Sequence, residues 1–287
     1  MEKIGFVNII KPTNMTSSDV VIKIKKILNT KRVGHLGTLD PAASGVLPIA
    51  VGKATKFFDY FLKKDKVYRA VVEFGVETDT LDSFGNITKT DNTVNITEDK
   101  LLNIIPEFIG EIMQTPPKFS AKKVGGKKAY ELVRENANFE LKPKKLTVFD
   151  IKLVKKCEKN RFLFEVHCEA GTYIRSLFND IANKLNTVAT TSVIIRTKSG
   201  LFDLNSALTL EEFDQQKNLI LIENVFKNHQ VINVDGLIAK KILNGVKVEA
   251  SDFKQKLDNE FLIKFEDKLV GMYCLKNGVV QPLVFIY

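Results

Sequence analysis

Two hydrophobic rhythms alternate along this chain. Phe6 to Ile10, Val67 to Phe74, Leu146 to Val154 and Phe162 to Cys168 are runs that read as strands. Between the first two, Thr16-Ser17-Ser18-Asp19 offers N-caps to a helix whose Val20, Ile24, Ile27 and Leu28 share one face. From Ile174 to Leu185 the apolar positions Ile174, Leu177, Phe178, Ile181, Ala182 and Leu185 step by three and one, the stripe of an amphipathic helix. Thr209-Leu210-Glu211-Glu212 has the form of a capping box. After Asn228 the pattern shortens to strands such as Phe261 to Phe265 and Leu269 to Cys274. Strands and helices mix without a fixed repeat, so the expected class is α+β, with one domain over residues 1–228 and a small β-rich domain over 229–287.

At 287 residues with 44% hydrophobic content, the chain has ample material for a core, so neither a disulfide-stapled miniprotein nor a disordered basic tail fits it. Cys157, Cys168 and Cys274 share no CxxC spacing, and His35, His167 and His229 lie far apart, which supports neither a disulfide framework nor a metal site. No run approaches the roughly 20 apolar residues of a bilayer span, and a soluble, cytoplasmic protein is expected.

The net charge of +9 suits a polyanionic partner and is unevenly spread. Between Lys118 and Lys145 nine basic residues stand against Glu131, Glu135 and Glu140, a local excess of six. The Gly125-Gly126 pair there predicts a flexible loop feeding a short helix from about Lys127 to Asn136. Such a basic arm is built either to grip phosphates or simply to face solvent.

The densest polar signal is the segment from Gly34 to Leu47, GHLGTLDPAASGVL. Its three glycines let backbone turn sharply and approach a ligand, and Pro41 holds Asp40 extended. A carboxylate on so constrained a loop can serve as nucleophile, base or electrostatic stabiliser. An isolated Asp-Pro pair equally well caps a turn.

The surrounding residues decide between these, because the segment resembles the TruB family of bacterial tRNA pseudouridine synthases, whose pattern runs approximately GHxGxLDPxAxGxLP. This chain supplies His35, Gly37, Leu39, Asp40, Pro41, Ala43, Gly45, Leu47 and Pro48. Five further blocks follow the family order: Lys11-Pro12 with Asn14 where glycine is usual, Lys66-Val67-Tyr68-Arg69-Ala70, Thr78 to Asp82, Gly171 to Ser176, and Arg196 to Gly200. Pro116 to Ala121 also matches, with Phe119 in place of the usual tyrosine, and Val188 to Val193 is poorer in alanine and glycine than is typical.

The resemblance implies a pseudouridine synthase fold, with a mainly antiparallel sheet flanked by helices and a PUA-like RNA-binding tail. The implied reaction breaks the N1–C1′ bond of the T-loop uridine at position 55 of tRNA and rejoins uracil through C5. That exchange involves neither net redox nor hydrolysis, so it calls for no cofactor and no metal. Asp40 is the implied catalytic carboxylate, attacking C1′ or taking the 2′ proton, with Arg175 as its ion-pair partner. Tyr68 is implied to stack on the base and assist at C5. Tyr173 and Ile194 would wall the site and Lys11 brace its loop, while His35 would fill the gap left by the flipped nucleotide. Lys122, Lys123, Lys127 and Lys128 would clamp the T-arm backbone. The partner implied is tRNA, with no membrane and no protein partner, and the chain is expected to act as a monomer. Two competing readings are a tRNA-folding factor that works without catalysis and an Asp-dependent nucleoside hydrolase.

Overall fold

The computed structural model describes residues 3–287. Its strands are β1 (Gly5–Lys11), β2 (Val33–His35), β3 (Ser44–Val51), β4 (Lys66–Phe74), β5 (Val76–Thr78), β6 (Ile87–Thr90), β7 (Gly110–Gln114), β8 (Lys123–Val124), β9 (Lys127–Lys128), β10 (Lys144–Glu158), β11 (Arg161–Cys168), β12 (Ala189–Ser199) and β13 (Phe202–Asp203). After these come β14 (Gln230–Asn233), β15 (Val248–Glu249), β16 (Glu260–Phe265), β17 (Lys268–Lys276) and β18 (Val279–Phe285). The helices are α1 (Ser17–Leu28), α2 (Phe58–Leu62), α3 (Glu98–Ile104), α4 (Ala129–Arg134), α5 (Ile174–Lys184), α6 (Leu210–Gln216), α7 (Ile222–Val225) and α8 (Gly236–Leu243).

The principal sheet runs β1-β3-β12-β4-β11-β10-β7, with β2 added to β3 and β13 to β12. All its pairings are antiparallel except β12 with β3. Burial alternates along β4 and β11, so Tyr68, Ala70, Phe162 and Phe164 face one side of the sheet while Arg69 and Glu165 pair on the other. On the buried side α5 lies across β12 and β4, its stripe packing where Phe178 meets Phe164 at 4.7 Å between ring centres. Helix α1 starts on a capping box between Thr16 and Asp19 and ends on Asn29 in the left-handed region, as its sequence signals require.

The second sheet, β14-β16-β17-β18-β15, has its own core of Phe261, Ile263, Val270 and Tyr273. It also shares a cluster with the first sheet. Phe6, Phe57, Phe61, Phe202 and Phe226 pack with Leu262, Met272, Val284 and Ile286. The Tyr60 hydroxyl donates to Glu260 at 2.9 Å across the same boundary. Fully burying each such ring is worth about 1.5–3 kcal/mol, so the tail is seated firmly on the segment that leads into β4.

The pattern reading leaves several elements unassigned, β3, β7, α3 and α8 among them, and three departures have a clear physical reason. That reading assigns no strand to β12, where Thr190 and Thr191 are both buried; the hydroxyl of Thr190 donates to the Val76 carbonyl, so hydrogen bonding conceals burial from a hydropathy pattern. Strand β10 runs past Val154 into exposed lysines because its hairpin with β11 continues to Glu158 and Arg161. The supposed flexible loop at Gly125-Gly126 is instead a two-residue hairpin turn, both glycines at positive φ, joining β8 to β9; Lys127 therefore lies in a strand, and the helix begins at Ala129. Among the described residues, no helix is long and apolar enough to cross a membrane.

Candidate functional site

The loop carrying Asp40 leaves β2 and enters β3, and it is strapped from three directions. Ser17, the first residue of α1, donates its hydroxyl to the Leu39 carbonyl at 3.0 Å and accepts the Leu39 amide at 2.9 Å. Arg196 of β12 is fully buried and donates to the carbonyls of Val46, Thr38 and Gly37 at 2.8, 3.0 and 3.2 Å. Lys11, buried at the end of β1, donates to the carbonyls of Pro12 and Met15 at 2.7 Å each and of Pro41 at 3.5 Å. Gly45 pairs in parallel with Arg196, and a Cβ there would overlap the Arg196 carbonyl oxygen, so the loop can rejoin the sheet only through glycine. Asn14, where glycine is usual, takes φ 63° and donates its amide to the Pro41 carbonyl at 3.0 Å, a conformation asparagine tolerates better than most residues.

Arg175 enters from the first turn of α5. Its side chain is only 4% exposed and reaches Asp40 at 2.5 Å and Asp82 at 3.4 Å. Its remaining contacts are the carbonyls of Thr80 at 2.8 Å and Phe119 at 3.1 Å. Asp82 is itself held by the Thr80 hydroxyl at 2.7 Å and the Phe84 amide at 3.0 Å. Leu81 between them sits at φ 60°, a costly conformation for a bulky side chain, and this kink accompanies the meeting of the Thr80 carbonyl and the Asp82 carboxylate on one guanidinium. The start of α5 is fixed by Gln114, which accepts the Tyr173 amide at 2.8 Å and donates to the Tyr173 carbonyl at 3.1 Å. Asp40 remains about one-third exposed while its partner is buried, the arrangement of a carboxylate held by one edge and offered by the other.

Above this floor opens a cleft of about 390 Å³ whose lining includes Asp40, Tyr68, Tyr173, Arg175 and Ile194, with Lys122 and Lys123 among its other wall residues. Burial raises the pKa of Tyr68, a shift the neighbouring Arg196 opposes, so its hydroxyl stays protonated at neutral pH. Burial likewise raises Tyr173. Burial lowers Lys11 to about 8 against the opposing pull of Asp40.

The remaining candidates stand apart from that lining. His35 lies on β2 opposite Ile49, its Nδ1 buried without a partner, and burial together with Arg196 lowers its pKa and favours the neutral ring. Lys11 lies beneath the loop. Lys127 and Lys128 are on the arm, Lys127 paired with Glu135 at 2.8 Å and Lys128 at 3.3 Å from the Tyr130 hydroxyl. The sequence reading gives no role to Asp82, Arg196 or Lys66, although each falls within a motif block. A charged residue at an inward position of an alternating strand, as Lys66 and Arg196 are, was the signal available.

The family model described as TruB family pseudouridylate synthase (N terminal domain) matches residues 25–174. The tRNA pseudouridine synthase B of Caldanaerobacter subterraneus subsp. tengcongensis is 44% identical over 241 residues, covering 84% of this chain and 85% of that protein. That of Clostridium kluyveri is 40% identical over 279 residues, covering 96% and 93%. Among solved structures, a chain in a Cbf5-Nop10-Gar1 complex superposes with a TM-score of 0.72 at 27% identity, covering 99% of this chain and 84% of that one. The matched segment runs from within α1 through the Asp40 loop to Ile174, the first residue of α5, and this chain belongs to the TruB family of pseudouridylate synthases.

Proposed function

We propose that this enzyme makes pseudouridine in tRNA, and that its target is the T-loop uridine at position 55. The observation that carries the reading is the one-third-exposed Asp40 carboxylate on the buried Arg175 guanidinium, at the floor of a cleft walled by Tyr68 and Ile194. Curated relatives about 40% identical over most of the chain are named for pseudouridine synthesis in tRNA.

A uridine flipped into the cleft presents C1′ and its 2′ hydroxyl to Asp40. Attack at C1′ and removal of the 2′ proton both use the carboxylate, which Arg175 holds in place through a charge-assisted hydrogen bond. Tyr68 and Ile194 sandwich the detached uracil so that it turns within the cleft and does not leave. The protonated Tyr68 hydroxyl is suited to donate to the ring while C5 forms its bond to C1′. His35, a neutral planar ring on the flank, fills the space the nucleotide leaves. Lys122, Lys123, Lys127 and Lys128 lie along the approach from the basic arm and hold the T-arm phosphates. We assign residues 1–228 to this chemistry and 229–287 to RNA binding.

The test is to incubate the full chain with a tRNA transcript, without other additions, and map pseudouridine. Conversion confined to position 55 is expected. Conversion at another uridine would overturn the site assignment, and release of free uracil would replace isomerisation by hydrolysis.

A further inference from the structure

Lys66 opens β4 two residues before Tyr68, so the two side chains leave the strand on the same face, about 6.7 Å apart along it. Lysine is among the residues least often buried, yet this one is 5% exposed and lines the cleft. Its ammonium donates to the carbonyls of Phe61 at 3.2 Å and Lys64 at 2.5 Å. Lys11 contacts three carbonyls with its three N–H groups, whereas Lys66 contacts two, which leaves one donor uncommitted among the described residues. Its stem also abuts the catalytic loop, because a Cβ built on Gly37 would stand 4.0 Å from the Lys66 Cε.

The charges around the cleft floor do not balance. Lys11, Lys66, Arg175 and Arg196 are all buried there, against Asp40, Asp82 and, beside Lys66, a part-exposed Asp65 whose carboxylate is shared with His167 and Lys198. A fold gains nothing from unmatched buried cations, and each carries a desolvation cost of several kcal/mol. Such an excess is suited to a site where negative charge appears during reaction. Breaking the N1–C1′ bond supplies it, since the electron pair stays on N1 and spreads over the O2 and O4 carbonyl oxygens of uracil.

We propose that Lys66 is a catalytic residue of this enzyme whose free N–H donates to a carbonyl oxygen of the uracil anion formed when the glycosidic bond breaks. The inference rests on the pseudouridine synthase reading above. No proton changes hands in this step: the ammonium stabilises the anion, and the later loss of the C5 proton is a separate event. Burial, aided by Arg196 across the strand pair, lowers Lys66 to about 8, while Asp65 and Cys168 oppose that shift. At neutral pH the group is therefore still mostly the ammonium that the role needs.

The test compares Lys66→Met and Lys66→Gln with the unaltered enzyme in single turnover, on tRNA carrying uridine or 5-fluorouridine at the target. Fluorine stabilises the uracil anion, so its departure depends less on an enzyme cation. Consumption of uridine is expected to slow on the order of a hundredfold in both variants, because both lose the positive charge that stabilises the developing anion. Consumption of 5-fluorouridine should slow at least tenfold less, with tRNA affinity unchanged. Equal slowing of both substrates would make Lys66 a strut for the turn at Phe61 to Lys64 and overturn the proposal. Recovery in the Gln variant would do the same, because an amide keeps hydrogen bonding but not charge. If the unaltered enzyme fails to consume target uridine, it is the underlying reading that falls.

Discussion

The cleft floor and the basic arm are both rich in cations, and they use them in opposite ways. At the floor each cation is buried and bound to several fixed acceptors: Arg196 to three carbonyls, Lys11 to three, Arg175 to two carboxylates and two carbonyls. Removing one partner there leaves a charge or carbonyl without compensation in a low dielectric, so single changes have large effects. On the arm Lys122, Lys123 and Lys127 are solvent-exposed, and the Lys127–Glu135 pair sits at the surface, where such a pair is worth about 0–1 kcal/mol. A phosphate can displace that partner at little cost. The floor uses charge to fix geometry, whereas the arm uses it to supply a field.

The sharpest way to break this contrast is Asp40→Asn, which keeps shape while removing the charge. Turnover should vanish with tRNA affinity retained. A variant holding even a tenth of normal turnover, a barrier change of only about 1.4 kcal/mol, would remove Asp40 from the chemistry.

Tyr68→Phe comes next. It keeps the ring and removes a hydroxyl that burial holds protonated. Single-turnover rates should fall on the order of a hundredfold while binding persists. A near-normal rate would reduce Tyr68 to stacking and leave the hydroxyl without a role.

Asp82→Asn tests whether the floor acts as one unit. Asp82 lies 3.4 Å from Arg175 and its side chain is only 7% exposed, so it has no direct route to substrate and acts by positioning the guanidinium. A drop of roughly ten- to a hundredfold in single-turnover rate is expected, because a small misplacement of Asp40 suffices for that. The KM for tRNA should stay level. A rise in KM with an unchanged rate would place Asp82 in binding instead.

The smallest effect per residue belongs to the arm. Neutralising Lys122, Lys123, Lys127 and Lys128 together should weaken tRNA binding and flatten its salt dependence, each lost phosphate contact removing about 0.7 to 0.9 from the log–log slope. Single-turnover rates at saturating tRNA should change little. An unaltered slope would show the arm to be a solvated face, and a collapse of the saturated rate would erase the distinction between the two regions.

Much of this protein was legible before its structure. The α5 stripe, the Thr16 and Thr209 caps and the alternation in β4 and β11 depend on neighbours within a few residues, and they appear where their patterns put them. The Asp40 loop was legible through its resemblance to the TruB pattern, which His35, Gly37, Leu39, Asp40, Pro41 and Gly45 carry within a few positions. Strand β12 was not, since Thr190 and Ser192 donate to carbonyls of β5 and β4 that lie more than a hundred residues away. For the same reason the arm's hairpin was read as a loop: glycine pairs signal a turn, but only cross-strand pairing between Lys123 and Lys128 shows that strands flank it.

By itself, then, the sequence determined the family, the loop that presents Asp40 and the general class of partner, because these rest on residue types held at short spacings. Only tertiary structure decided which charges share one site. Asp40, Asp82, Arg175, Arg196 and Lys66 come from five separated segments, and Arg175 meets Asp40 across 135 positions of chain. Coulomb energy and desolvation depend on distance and burial in space, and neither quantity exists until the sheet has brought β4 and β12 together beneath the loop.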